Sequence, residues 1–279
     1  MDNDPHLPSA LDRLRAATGF MFDMDGVLYR GTRALPGVRP LLDALLLRDR
    51  RFMLATNNSM ATPEAYVARL AAMGIDVPPE AILTSALATR DYLLETLPPD
   101  AGIFAIGMPG MREQLFGGTA FRPVQFGEEQ PAAVVMGMDL GFTYDKLKAA
   151  CAAIHGGALF VATNADATLP TETGFVPGAG SLVAAVATGS GVQPVVIGKP
   201  ETTLLDQSMH RLGVGPGQAV MVGDRLDTDI LAARRAGVLS VLVLTGVSTR
   251  EELATSPVLP DIVVNDLPAL LDALVADPS

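Results

Sequence analysis

The chain has 279 residues, a formal net charge of −11, and 49% hydrophobic against 18% charged residues. An acidic chain is a poor match for nucleic acid, whose phosphates need patches of Lys and Arg, and a lone cysteine, Cys151, excludes a disulfide framework within the chain. No apolar run reaches the roughly 18 residues of a membrane span, and residues 1–19 lack the apolar core of a signal peptide, so the expectation is a cytoplasmic protein with no membrane partner.

Gly19-Phe20-Met21-Phe22 is a short apolar run ending at Asp23 and reads as a buried strand. Residues 36–48 carry Val38, Leu41, Leu42, Leu45 and Leu46 at helical spacing. Phe52 to Ala55 reads as a second strand, ending at Thr56-Asn57-Asn58-Ser59. Thr62-Pro63-Glu64 opens a helix with Thr62 as N-cap and Pro63 at its first position. A strand at 81–83 and a helix at 86–97 follow.

Pro98-Pro99-Asp100 reads as a linker, after which the alternation restarts. Strands are expected at 102–106, 132–136 and 159–162, with helices near 111–115 and over 144–155. Ser190-Gly191-Val192-Gln193 is a second linker. Strand 194–197, helix 203–211, strand 219–222, helix 228–236, strands 240–244 and 262–264 and a helix from Leu267 complete the chain. Repeated β/α units of this kind predict an α/β fold built on parallel sheets covered by helices. There is no internal repeat and no low-complexity segment.

Open α/β sheets bind ligands at the carboxyl ends of their strands. The polar residues placed there are Asp23 and Asp25, Thr56 to Ser59, Lys199, and Asp224 with Asp227 and Asp229. Asp23 and Asp25 are two apart, which in extended chain points both carboxylates to one side. Such a pair repels unless a cation relieves it. Mg²⁺ suits oxygen ligands and is commonly held by one or two carboxylates plus substrate phosphate. Thr56-Asn57-Asn58-Ser59 offers hydroxyl and backbone N–H groups to an anion before a helix, and Lys199 offers a point charge. Each segment taken alone also reads as turn or cap chemistry, because Asp, Asn, Ser and Gly dominate turns.

Taken together, the four segments resemble the motifs of the haloacid dehalogenase-like (HAD) superfamily: Asp23-Met24-Asp25-Gly26, then Thr56, then Lys199, then Gly223-Asp224 with Asp229. The strings Ala55-Thr56-Asn57-Asn58-Ser59 and Val196-Ile197-Gly198-Lys199-Pro200 look like its NagD-like, 4-nitrophenylphosphatase-type branch. The resemblance spans about residues 20–275. It implies a Rossmann-like doubly wound core, over residues 1–97 and 194–279, with an α/β cap inserted at 98–193. It further implies an Mg²⁺-dependent phosphatase acting on a small phosphorylated metabolite, such as a nucleotide, a sugar phosphate or glycerol phosphate.

In that reading Asp23 is the nucleophile and Asp25 the general acid and base, while Thr56 and Lys199 hold phosphoryl oxygens. Asp23, Asp25, Asp224 and Asp229 serve the metal, and Asn57, Asn58 and Asn164 reach the substrate. The segments Thr163 to Asp166, Thr168 to Pro170 and Gly178 to Ser181 look like substrate-facing cap loops, and relatives often dimerise through the cap. Met138 and Leu169 are apolar at positions where pyridoxal phosphatases tend to offer an aromatic and a histidine, which argues against pyridoxal phosphate.

Three other readings stand beside this one. A signalling receiver also uses an acidic cluster with a Thr and a Lys, but is about half this length and lacks the Asp-x-Asp spacing. A phosphomutase or dehalogenase would differ in cap position or lack Asp25. An inactive binding protein is opposed by the intact motifs. His6, His155, His210 and Cys151 read as structural or surface residues, and Glu128-Glu129 as a solvated loop.

Overall fold

The four residues Gly19–Phe22 are all buried, as expected of a strand covered on both faces. This strand lies inside a six-stranded sheet. The order is Ile262–Val264, Leu239–Val243, Ala219–Gly223, Gly19–Phe22, Arg51–Thr56, Ile82–Thr84. Phe20 pairs in parallel register with Val220 on one side and Phe52 on the other. Leu239–Val243 and Ile262–Val264 continue the parallel pairing outward. The chain therefore builds outward in opposite directions from Gly19–Phe22, which makes the carboxyl end of that strand a topological switch point. Asp23 and Asp224 directly follow two adjacent strands, and Thr56 ends a third.

In this computed structural model the described residues are 8–125, 127, 129–171 and 174–276; His6 and Glu128 lie outside them. They fall into two units. One comprises the described residues up to Ala55, Val67–Ile82 and those from Lys199 onward. The other comprises Thr56–Tyr66 and Leu83–Gly198, and so takes in residues on both sides of 98–193.

The second unit has its own parallel sheet, ordered Val195–Val196, Leu159–Ala162, Ala133–Met136, Gly102–Ile106, Arg122–Pro123. Helices Tyr144–His155 and Ala179–Ser190 cover one face, where Val134, Met136, Phe160, Ala150, Ala153, Val183 and Val186 form a buried cluster. The strand that leads into Lys199 is thus an edge of this second sheet, paired with Leu159–Ala162. No helix among the described residues is long and apolar enough to cross a membrane.

The expected strands and helices are present, several with bounds shifted by one to three residues. Three departures have local causes. Ala10–Ala16 is a helix, started by a capping box in which Ser9 Oγ accepts from Asp12 N–H at 3.2 Å and the Asp12 carboxylate accepts from Ser9 N–H at 3.1 Å. The helix expected over 228–236 begins as a π-helical turn, Leu226–Ile230, and becomes α-helical only over Leu231–Ala236. Gly178 to Ser181, expected as a loop, instead caps and opens the twelve-residue helix Ala179–Ser190. Its small residues permit close approach: a Cβ at Gly180 would collide with the carbonyl oxygen of Ala165, and one at Gly178 with that of Asp166.

Phe20 is 0% exposed and its ring stacks on that of Phe22 at 6.3 Å between centroids. Phe20→Ala is expected to lower unfolding free energy by about 3–5 kcal/mol, measured by urea denaturation.

Candidate active site

The parallel register of Gly19–Phe22 with Ala219–Val222 sets the first contact, because Asp23 N–H donates to Val222 O at 2.9 Å. Beyond Asp23 the chain leaves the extended form. Leu28 N–H donates to Met24 O at 2.8 Å and Gly26 N–H to Tyr29 O at 2.8 Å, closing a tight loop. Gly26 sits at φ +83°, and a Cβ there would lie 2.5 Å from Asp224 Oδ2, so both the backbone and the neighbouring acid demand glycine. Thr245 Oγ1 donates to Gly26 O at 2.7 Å and ties this loop to the one after Leu239–Val243.

That second loop holds Asp224. Val247 N–H donates to Asp224 Oδ2 at 2.7 Å, and Ser248 N–H donates to Asp224 O at 3.0 Å. Gly246 lies so close that any Cβ would overlap the Asp224 carboxylate. Asp229 comes from the π-helical turn, a local irregularity often found at functional sites. Its Oδ2 accepts from the N–H groups of Asp224 and Arg225, both at 3.1 Å. Its Oδ1 meets Lys199 Nζ at 2.7 Å. Lys199, 1% exposed, also donates to Asp23 Oδ1 at 2.5 Å and to Ala55 O at 3.0 Å.

Asp23, Asp224 and Asp229 each place a carboxylate oxygen within 4.8 Å of the others. The buried ammonium of Lys199 pairs with two of these carboxylates, Asp23 and Asp229, and Asp224 completes the cluster beside them. Burial pushes the Asp23 carboxyl up to about 7, with Lys199 opposing and Asp229 and Asp25 adding to the rise. Burial likewise holds Asp224 well above the usual range, reinforced by Asp229 and Asp23. For Lys199 burial works against the charge, but Asp229 and Asp23 overcome it and raise its pKa. A hard divalent cation fits this donor set, because three clustered carboxylates carry more negative charge than one ammonium offsets.

The Asp25 carboxylate is outside that cluster. Asp25 nonetheless lies near enough to Asp23 to add to the rise of its pKa. Asp25 keeps solvent access, while the surrounding protein mass raises its pKa and Arg69 and Arg30 draw it back down.

In the second unit Thr56 Oγ1 accepts from Asn58 N–H at 3.1 Å, and Asn58 Oδ1 accepts from Met60 N–H at 2.8 Å, two successive side-chain turns. Asp166 draws two expected site residues together: Asn57 Nδ2 donates to Asp166 Oδ2 at 3.2 Å and Asn164 Nδ2 at 2.6 Å. Thr163 Oγ1 donates to Ser59 Oγ at 3.2 Å and fastens the same two segments. His155, the last residue of its helix, bonds Ser190 O at 2.9 Å, and Cys151 packs against the cluster beneath that helix.

Residues 20–117 match the family described as haloacid dehalogenase-like hydrolase, and residues 196–270 the one described as HAD-hydrolase-like. The acid sugar phosphatase of Staphylococcus epidermidis is 37% identical over 89% of this chain and 94% of its own length. Among solved structures, the 4-nitrophenylphosphatase of Thermotoga maritima superposes with a TM-score of 0.87 at 36% identity, covering 94% of this chain and 99% of that one. The glycerol phosphate phosphatase of Mycobacterium tuberculosis, solved with magnesium, gives 0.84 at 33% identity over 95% and 78%. With relatives this similar over nearly its whole length, the chain belongs to the haloacid dehalogenase-like hydrolases, in their NagD-like, 4-nitrophenylphosphatase-type branch, and is a phosphoric monoester hydrolase.

Proposed function

We propose that the chain hydrolyses a small phosphomonoester through an aspartyl-phosphate on Asp23. The observation that supports this reading is a cluster of three carboxylates, Asp23, Asp224 and Asp229, in which one buried ammonium, Lys199, pairs with Asp23 and Asp229. In the first step Asp23 attacks phosphorus as the bond to the leaving oxygen breaks, and the proton on Asp25 passes to that oxygen. In the second step water attacks the phosphorus of the aspartyl-phosphate, its proton passes to Asp25, and inorganic phosphate leaves with Asp23 restored. Splitting one displacement into two lowers each barrier, and the raised pKa of Asp25 suits a group that must both give and take a proton near neutrality.

Lys199 and Thr56 meet phosphoryl oxygens and offset charge as the transition state spreads it. Asp23 and Asp224, with the backbone carbonyl of Asp25, would hold Mg²⁺. When bound, the ion neutralises excess carboxylate charge and that of the incoming phosphate. Asp229 steadies Lys199 and the backbone at 224–225 rather than the ion itself. The inserted cap contributes to substrate choice through Asn164, and Asn57 and Asn58, which follow strand Arg51–Thr56, also reach the substrate. Sugar phosphates, glycerol phosphate and nucleotides are the candidate substrates, in keeping with what the relatives are named for. A homodimer through the cap and a cytoplasmic location complete the proposal.

Asp23→Asn is expected to lower kcat on 4-nitrophenyl phosphate by several orders of magnitude; a variant that kept about a tenth of the rate would sink the nucleophile assignment. A second expectation concerns stability. A carboxyl raised by burial keeps its proton in the native state after the unfolded chain has released it, so its contribution is full below about pH 4 and is lost as pH rises through the folded pKa. For Asp23 that loss runs from about pH 4 to 7. Thermal melts in EDTA should therefore show Tm falling between pH 5 and 7.5, with Mg²⁺ restoring it most at pH 7.5. A magnesium effect of equal size at both pH values would contradict the shared-charge account.

A further inference from the structure

Two arginines of the first unit are fastened around the loop that carries Asp25. Arg30 lies five residues beyond Asp25 and donates from Nη2 to Gly246 O at 3.0 Å, next to the backbone that packs on Asp224. Arg69, from helix Pro63–Ala71, donates from Nη2 to Gly31 O at 2.7 Å. Its guanidinium also lies 4.5 Å from the centroid of the Tyr29 ring, and Tyr29 bridges Asp25 through the backbone. Tyr29 is buried, while Arg30 is exposed and Arg69 half-buried. Among the described residues neither arginine has a carboxylate within ion-pair distance.

These contacts hold the two guanidiniums in place, and the carboxylate whose charge they meet is that of Asp25, whose pKa they draw down. A carbonyl acceptor and an aromatic face each leave the positive charge in place, and each guanidinium presents five N–H donors. The chain carries a net charge of −11, so a positive rim at this point opposes the general field that a phosphate ester meets. The ammonium that meets the phosphoryl group is Lys199, which is buried on the Asp23 side. Groups placed around Asp25 instead face the alcohol that Asp25 protonates.

We propose that Arg30 and Arg69 are specificity residues that favour phosphomonoesters whose leaving group carries a second negative charge, a carboxylate or a further phosphate. The planar, forked guanidinium binds both kinds of anion bidentately. This inference rests on the phosphatase reading given above, with Asp25 beside the leaving group.

The test compares matched substrates. Glycerol 3-phosphate and 3-phosphoglycerate differ by a hydroxymethyl group against a carboxylate. Fructose 6-phosphate and fructose 1,6-bisphosphate differ by one phosphate. For each pair the ratio of kcat/KM, charged over neutral, is measured in the wild type, in Arg30→Gln/Arg69→Gln and in Arg30→Lys/Arg69→Lys. The double glutamine variant should lower the ratio at least tenfold for one or both pairs, and the lysine variant should recover most of it. The pair that responds identifies which anion is recognised. A ratio that stays within twofold overturns the proposal even if both rates fall, since a bracing role for the arginines would depress both substrates alike. If the double glutamine variant does not fold, the exposed Arg30→Gln carries the test with a threefold threshold. Wild type that turns over 4-nitrophenyl phosphate but no member of either pair also overturns it, whereas wild type inactive on 4-nitrophenyl phosphate overturns the phosphatase reading instead.

Discussion

Three carboxylates around one buried ammonium are the constraint on which the first unit's site depends. Lys199 is among the largest fully buried side chains of the protein, and a buried lysine survives as a charge only when anions meet it. Asp23 and Asp229 do so at 2.5 and 2.7 Å. The arrangement is left with more negative than positive charge, and the raised carboxyls of Asp23 and Asp224 are the physical expression of that excess. In the proposed function a divalent cation and a phosphate dianion enter and change this balance.

Asp229 is the residue that turns this electrostatic arrangement into a geometric one. One of its oxygens binds two successive backbone N–H groups and the other binds Lys199. The π-helical turn brings Asp229 back toward Asp224 within five residues, which the ordinary helix expected there would not do in the same way. Close packing then fixes Asp224. Gly26 and Gly246 leave no room for a side chain against its carboxylate, so the two loops can approach only as glycine-bearing segments.

Much of this was legible in the sequence because parallel sheets put their chemistry at strand carboxyl ends. Apolar runs located the strands, and the polar residue after each run located Asp23, Thr56, Lys199 and Asp224. The limits of that reasoning are equally physical. It does not foresee the tight loop that Gly26, at φ +83°, closes directly after Asp25. It passes over Thr245 to Ser248, whose contribution comes through backbone N–H groups and a missing side chain, features with weak sequence signatures. Helix Ala179–Ser190 escapes because its Gly, Ala and Ser residues read as loop, while their smallness is what lets the helix pack on the Ala165 and Asp166 backbone.

The net charge of −11 looks unsuited to an enzyme that receives anions. The site resolves this by keeping its cations local and giving them different surroundings. Lys199 is desolvated and saturated by acids, so its charge acts over a short range on whatever approaches Asp23. Arg30 and Arg69 stay closer to solvent and rest on carbonyls and an aromatic ring. Their charge is screened beyond about 10 Å at moderate salt, and the neighbouring acid they act on is Asp25. In the proposed reading a buried ammonium and a pair of rim guanidiniums address two ends of one substrate, the phosphoryl group and the leaving alcohol, so that chemistry at the first end and choice at the second would depend on different residues.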